Sequence, residues 1–222
     1  MTVRSNTKIE EGMKKGSIII EPFNPEYLST SSYDVCLGEY YCKEHKPQFL
    51  GAFFNIYDPE HVDRLWGKPI AAPFAEDVFG GIPMVNIDDK DRIIMLEPGE
   101  SILAHTHEFI GGVYEDTTMM KARSSLGRSL INVCQCAGWG DVGYFNRWTM
   151  EITNRSPFHR IPLVVGEPVA QIVFLETGTA KGFYSDKGNY QGSANIEELK
   201  LTWHPKSMIP RTKRKNRQHE PV

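Results

Sequence analysis

Two arginines five residues apart, with two serines and a glycine between them, are the densest grouping of anion-seeking side chains in the chain: Arg123-Ser-Ser-Leu-Gly-Arg128. Guanidinium forks grip phosphate oxygens bidentately, and hydroxyls with backbone N–H groups at a helix start complete such a cradle. The same residues also suit a surface helix with Ser124 or Ser125 as its N-cap. A second grouping is Arg147-Trp-Thr-Met-Glu-Ile-Thr153. Its period of two predicts a strand that turns Trp148, Met150 and Ile152 toward apolar packing and Arg147, Thr149, Glu151 and Thr153 the other way. Glu151 then faces a cavity or a polar surface, and a solvated sheet face has the same pattern.

Cysteine and histidine invite a metal reading. Zinc-dependent nucleobase deaminases need His-x-Glu followed by Pro-Cys-x-x-Cys, and the chain has no such motif. Cys134-Gln-Cys136 falls on a predicted strand that would put both thiols on one face, but without two further ligands these are core cysteines. Gly99, followed after five residues by His105-Thr-His107, looks like the start of a cupin metal motif. Glu108 then follows at once, no second motif appears, and two strand histidines sharing a face are expected. No protein-held metal is expected.

Many short strands must position these groups. Residues 6–16 open with polar residues and end on Gly16, predicting a short helix. β-prone runs then recur at 17–20, 33–42, 92–96, 101–110, 117–122, 130–136, 147–153, 161–165 and 169–175, broken by pieces such as Glu97-Pro-Gly-Glu100 and Gly166-Glu-Pro168. Short strands with Gly/Pro turns predict an all-β barrel or sandwich. A helical segment near 60–66 interrupts a loop-rich stretch over 44–90 whose order the pattern does not give.

With 222 residues, 40% hydrophobic and 24% charged, the chain reads as one globular domain and not a disordered one. Its longest apolar runs fall well short of the ~20 residues of a membrane span. The N-terminus lacks the apolar run of about 7–15 residues of a secretory signal, so a cytoplasmic protein with free thiols is expected. Net charge is −3, yet Arg211–Val222 carries five Lys/Arg and one Glu, leaving −7 on the rest. The basic charge is thus a terminal tail, expected to be solvated and disordered, and not a nucleic-acid-binding patch.

Taken together, Lys121-Ala-Arg-Ser-Ser-Leu-Gly-Arg128, Ala137-Gly-Trp-Gly-Asp-Val-Gly-Tyr144 and Thr149-Met-Glu-Ile-Thr-Asn154 closely resemble the dCTP deaminase branch of the dUTPase-like family. Ser32-Tyr-Asp-Val-Cys-Leu-Gly38 and Leu96-Glu-Pro-Gly99 resemble its early strands. Pro168-Val-Ala-Gln171, Tyr184 and Asn189-Tyr-Gln-Gly192 resemble its last strand and nucleotide-covering tail. Ala122, Gly140 and Asp141-Val-Gly143 stand where the family pattern has Gly, Ile and Asp-Pro-Gly. In the tail, Asn189 and Ser193 stand where it has Lys and Gln, with Lys187 as a substitute cation.

The resemblance implies a distorted β-barrel, homotrimeric, with active sites at subunit interfaces and Mg²⁺ arriving on the nucleotide triphosphate, with no zinc. Residues 1–193 would form the barrel domain with its covering segment at about 180–193, and 194–222 an extension ending in the basic tail. The resemblance places Arg123, Ser124, Ser125, Leu126, Gly127 and Arg128 at the phosphates and base, Asp141 at the sugar, Thr149, Met150 and Glu151 along the base, and Gln171, Tyr184 and Gln191 around the nucleotide. Glu151 would be the catalytic carboxylate, Ala137 would offer its carbonyl to the attacking water, and Arg128 and Ser124 would hold both in line. The implied reaction is deamination of dCTP to dUTP in pyrimidine deoxynucleotide metabolism, with continued hydrolysis to dUMP as a second step. The alternatives are a dUTPase in which Asp141 acts on the water, and a non-catalytic trimeric nucleotide-binding regulator.

Overall fold

The computed structural model describes residues 2–49, 51–182, 184–186 and 188–212. In chain order its elements are β1 (Thr2–Val3), α1 (Asn6–Lys15), β2 (Ile18–Glu21), β3 (Tyr33–Lys43), α2 (Pro59–Trp66), β4 (Ile70–Ala71), α3 (Ala75–Phe79), β5 (Ile93–Leu96), β6 (Ser101–Gly112), β7 (Asp116–Ala122), α4 (Ser124–Arg128), β8 (Ile131–Val133), β9 (Trp139–Gly140), β10 (Phe145–Asn154), β11 (Ile161–Val164), β12 (Pro168–Glu176) and α5 (Ile196–Thr202). The chain is mainly β, as its pattern of short runs predicts. One curled, half-barrel sheet runs β8-β10-β6-β3-β12-β7-β9, with β1 beside β12, β2 beside β6 and β4 beside β3; β11 and β5 form a separate pair. No helix among the described residues is long and apolar enough to cross a membrane.

The long strand β6 organises the sheet. β10 runs antiparallel along one side of it, from Phe145 opposite Gly111 to Thr153 opposite Ser101, with a bulge between Arg147 and Thr149. β2 and β3 share its other side. Inward residues of these strands meet in one core that includes Tyr33, Leu37, Ile102, Ile110, Met120, Trp148, Met150 and Ile152. Helix α1 closes one end with fully buried Ile9, and stops at Gly16, whose φ of 73° sends its N–H back to the Gly12 and Met13 carbonyls.

Two expectations are not met, and the helix expected near 60–66 is present. The strand expected over 130–136 ends at Val133, because Cys134 (φ 59°) and Gln135 (φ 29°) take left-handed conformations. The two thiols therefore do not share a strand face: Cys134 is buried and Cys136 exposed, and all four cysteines are free. Nor do the two strand histidines share an environment, since His105 is buried and His107 exposed. The unordered stretch 44–90 contains α2, capped by the Asp58 side chain, then β4 paired to Tyr40 and Tyr41, then α3.

Beyond residue 193 the chain is seated on the barrel. Asn195 caps α5 by accepting from the Glu197 and Glu198 N–H groups, Leu199 packs with Phe109, Val113 and Phe145, and Met208 packs with Cys42 and Leu103. Residues 213–222, most of the basic tail, lie outside the described residues.

Fully buried Asn154 joins the two sheets at the end of β10. Its Nδ2 donates to the carbonyls of Leu96 (3.2 Å), Glu97 (3.1 Å) and His159 (2.7 Å), and its Oδ1 accepts from the Ser156 N–H at 2.9 Å. An isosteric Asn154→Asp change turns a donor into an acceptor facing three carbonyls. It should cost about 3 kcal/mol of unfolding free energy, read as a lower midpoint in urea with an unchanged slope; a loss within a few tenths of a kcal/mol would show that the amide does not join the sheets.

Candidate functional site

Strand β10 has the predicted two faces. Trp148, Met150 and Ile152 are buried in the core, whereas Arg147, Thr149, Glu151 and Thr153 are half-buried on the opposite face. Met150 therefore offers that face only its backbone. Glu151 Oε2 is shielded from solvent and has no hydrogen-bond partner within the chain. Burial pushes the Glu151 carboxyl above the usual carboxylate range, opposed by a bond from backbone N–H. A shielded carboxylate with a free oxygen and a raised pKa is what proton exchange near neutral pH requires.

The left-handed turn after β8 lies beside this carboxylate. The Cys134 N–H donates to the Glu151 carbonyl at 2.9 Å, and the Ala137 N–H closes the turn on the Cys134 carbonyl at 2.7 Å. On its far side Gly138 accepts from the Met120 N–H at 2.7 Å, where an added Cβ would sit 2.4 Å from the Met120 carbonyl oxygen. Exposed Ala137 is thus carried on a turn tied to both β10 and β7. At Gly140, where the family pattern has Ile, a Cβ would stand 2.5 Å from the Trp148 ring. The indole fills that space and donates through Nε1 to the Ile110 carbonyl at 2.8 Å.

The Arg-Ser-Ser segment follows β7. Arg123, not either serine, occupies the N-cap position of α4, and no side chain caps the helix. Leu126 packs on the core while Ser124, Ser125, Gly127 and Arg128 are exposed, and no described residue bonds to either serine hydroxyl. Arg123 Nε lies 3.5 Å from Asp34 Oδ2. In register, Gln171 stands between Asp34 on β3 and Lys121 on β7. Burial raises the Asp34 pKa and Arg123 opposes the shift. Sequence reasoning gave Asp34 no role; its signal was an acid near the start of a strand otherwise rich in core residues.

A third group surrounds an open cavity of about 410 Å³ lined by Asp141, Val142, Ala180, Lys181, Gly182, Tyr184 and Gly188. The Tyr184 ring stacks edge-on against Tyr144 at 4.9 Å, and Tyr144 against Trp148 at 5.3 Å. Gln191 is 4% exposed. Its Nε2 donates to the Gly143 carbonyl at 2.9 Å and its Oε1 accepts from the Phe145 N–H at 2.8 Å, so both ends of its amide hold the start of β10. Sequence reasoning missed this clamp, and with it Tyr144 and Asn146, whose Nδ2 donates to the Tyr190 carbonyl at 2.9 Å. Ser193 Oγ donates to Glu198 at 2.7 Å, and Lys187 lies outside the described residues.

Among the described residues no hydrogen bond or ion pair joins Arg128 or Ser124 to Glu151, and no His, Cys, Asp and Glu side chains gather as a metal-holding group of three or more.

A family model described as dCTP deaminase-like matches residues 3–177. The chain belongs to that family. Among curated relatives, the dUMP-forming dCTP deaminase of Methanopyrus kandleri is 31% identical over 204 residues, covering 90% of this chain and 96% of the relative. The protein of the same name from Methanospirillum hungatei is 29% identical over 181 residues, covering 81% and 84%. Among solved structures, the 2'-deoxycytidine 5'-triphosphate deaminase of Agrobacterium tumefaciens shares the fold with a TM-score of 0.53 at 16% identity. That match covers 78% of this chain and 47% of the solved one, so the chain spans less than half of that protein.

The site strand also neighbours His105, which is 1% exposed. Its Nε2 accepts from the Tyr40 N–H at 3.2 Å and Nδ1 bonds the Thr106 carbonyl at 2.8 Å, the pattern of a neutral ring protonated on Nδ1. Burial pulls its pKa down to about 4. Between pH 4 and the unfolded value near 6.5 the unfolded chain binds a proton that the folded chain refuses, so stability falls as pH falls through that window. The loss attributable to His105 should reach about 3 kcal/mol. Urea midpoints at pH 7 and pH 4.5 should show a pH dependence in wild type that His105→Gln flattens; identical slopes would show that His105 titrates normally.

Proposed function

We propose that this protein deaminates dCTP to dUTP and ammonia and then hydrolyses dUTP to dUMP and pyrophosphate. The observation that carries the reading is the half-buried Glu151 carboxylate, whose Oε2 has no partner within the chain, beside the Cys134–Ala137 turn, in a chain of the dCTP deaminase-like family. Glu151 takes a proton from the attacking water, whose oxygen adds to C4 of cytosine. The proton passes to N3; Glu151 then takes the second proton from the new C4 hydroxyl and delivers it to the exocyclic amine, so that C4=O forms as the C4–N bond breaks, ammonia departs and the carboxylate is restored. The Ala137 carbonyl orients the water, and the backbone of Thr149 and Met150 borders the base.

Arg123, Ser124, Ser125 and Arg128, with Leu126 and Gly127 shaping the short helix, grip the phosphates and orient the base. Asp141 meets the sugar, and Tyr184 closes the same cavity from the tail. In this reading Gln171 and Gln191 act at the edges, Gln191 by fixing the strand start that carries the site. Arg128 and Ser124 face outward on their own chain, which supports a homotrimer in which they reach a neighbour's Glu151. Magnesium, arriving with the nucleotide, would neutralise phosphate charge alongside Arg123 and Arg128.

Incubation with dCTP, resolving ammonia, dUTP, dUMP and pyrophosphate, tests the reading. Glu151→Gln keeps side-chain size and should bind dCTP while releasing ammonia roughly 10²–10⁴-fold more slowly; ammonia release within a few-fold of wild type would remove Glu151 from the chemistry. Arg123→Ala should weaken triphosphate binding about tenfold or more through the lost charge-assisted contact, read by titration calorimetry with a slowly turned-over triphosphate analogue.

A further inference from the structure

A second cleft lies between β2, β10 and α5, with a volume of about 280 Å³ and walls of Glu21, Pro22, Phe109, Arg147, Lys200 and Trp203. Arg147 is its uncompensated charge. The guanidinium carbon stands 5.1 Å from the Phe109 ring centre and 4.7 Å from the Trp203 ring centre. Nε is buried without a hydrogen-bond partner, and no carboxylate of the described residues comes within ion-pair distance of the group. Glu39 and Glu108 act on it only from longer range. Stacking satisfies the faces of a guanidinium but leaves its N–H edge without an acceptor, and a partly buried cation normally has one. Lys200, by contrast, already pairs with both Glu21 and Glu197.

We propose that this cleft binds a small organic monocarboxylate. The carboxylate lies in the plane of the Arg147 guanidinium, taking two parallel N–H bonds, and the apolar body of the ligand fills the space beside Phe109, Trp203 and Pro22. One free positive charge matches one negative charge. Glu21 at the rim disfavours a dianion, which separates this ligand from the phosphates gripped at Arg123 and Arg128. The cleft exists because α5 folds back on the barrel: Leu199 fixes the helix against Phe109 and Phe145, and that placement sets Trp203 over Arg147. The proposal does not rest on the deaminase reading.

Calorimetric titration of benzoate into the full chain tests it, with inorganic phosphate as the comparison. Benzoate should bind saturably at one per chain, more tightly than phosphate does in an Arg123→Ala background. Its binding should weaken about ten- to a hundredfold in Arg147→Gln and persist in Arg123→Ala and in Glu151→Gln. Glu21→Gln, which removes the rim carboxylate without touching the stacked rings, should tighten benzoate several-fold and keeps the test decisive if Arg147→Gln does not fold. Absence of saturable benzoate binding, indifference to Arg147→Gln, or indifference to Glu21→Gln overturns the proposal. So does a failure to bind benzoate combined with a change of oligomeric state in Arg147→Gln, measured by sedimentation, which would assign the guanidinium to a carboxylate on a second copy of the chain.

Discussion

Strand β10 transmits the packing of the core to the site. A strand cannot rotate one side chain independently of its neighbours, so burying Trp148, Met150 and Ile152 also decides which way Glu151 looks. A one-residue slip against β6 would bring a carboxylate into the core and expose Met150, and the apolar cost of that exchange holds the register. The same pairing sets Asn154 where its amide reaches the second sheet. The orientation of the acid is therefore supported mainly by apolar burial several residues long, which leaves one carboxylate oxygen, Oε2, without a partner in the chain.

The turn from Cys134 to Gly140 shows a compensation across two elements. Gly138 lets the turn lie against β7, and Gly140 yields its side-chain volume to Trp148. Trp148 in turn stacks against Tyr144, and Tyr144 meets Tyr184. Volume lost at Gly140 relative to the family pattern thus returns as an aromatic chain linking the core to the tail.

How legible these features were depended on whether the signal was local. The alternation of 147–153 needs only the strand's own residues, and the structure shows its two faces as expected; the turns at Glu97–Glu100 and Gly166–Pro168 separate strands where the sequence places them. The strand expected over 130–136 failed at Cys134 and Gln135, which take positive φ without being glycine, a conformation imposed by the bonds to Glu151 and Ala137. In 44–90 the helix near 60–66 was legible, but the order of the rest was not, because β4 and Ala72 are held by pairing to β3 and by a bond from Arg92, which no periodicity records. Seating of the chain after residue 193 rests on single residues, Leu199 and Met208, meeting distant strands. Asp34 and Tyr144 make cross-strand and ring contacts of the same non-local kind.

The tail is fixed at two places. β12 holds it at Glu176 through its pairing with Asp116, and the Gln191 amide holds it again at Gly143 and Phe145. A chain tied at both ends explores far fewer arrangements than a free terminus, and the entropy of closing such a loop is already lost when the protein folds. A ligand in the cavity at Asp141 and Tyr184 would then meet a wall anchored on both sides of it, so less of its binding free energy would be lost in holding that wall in place.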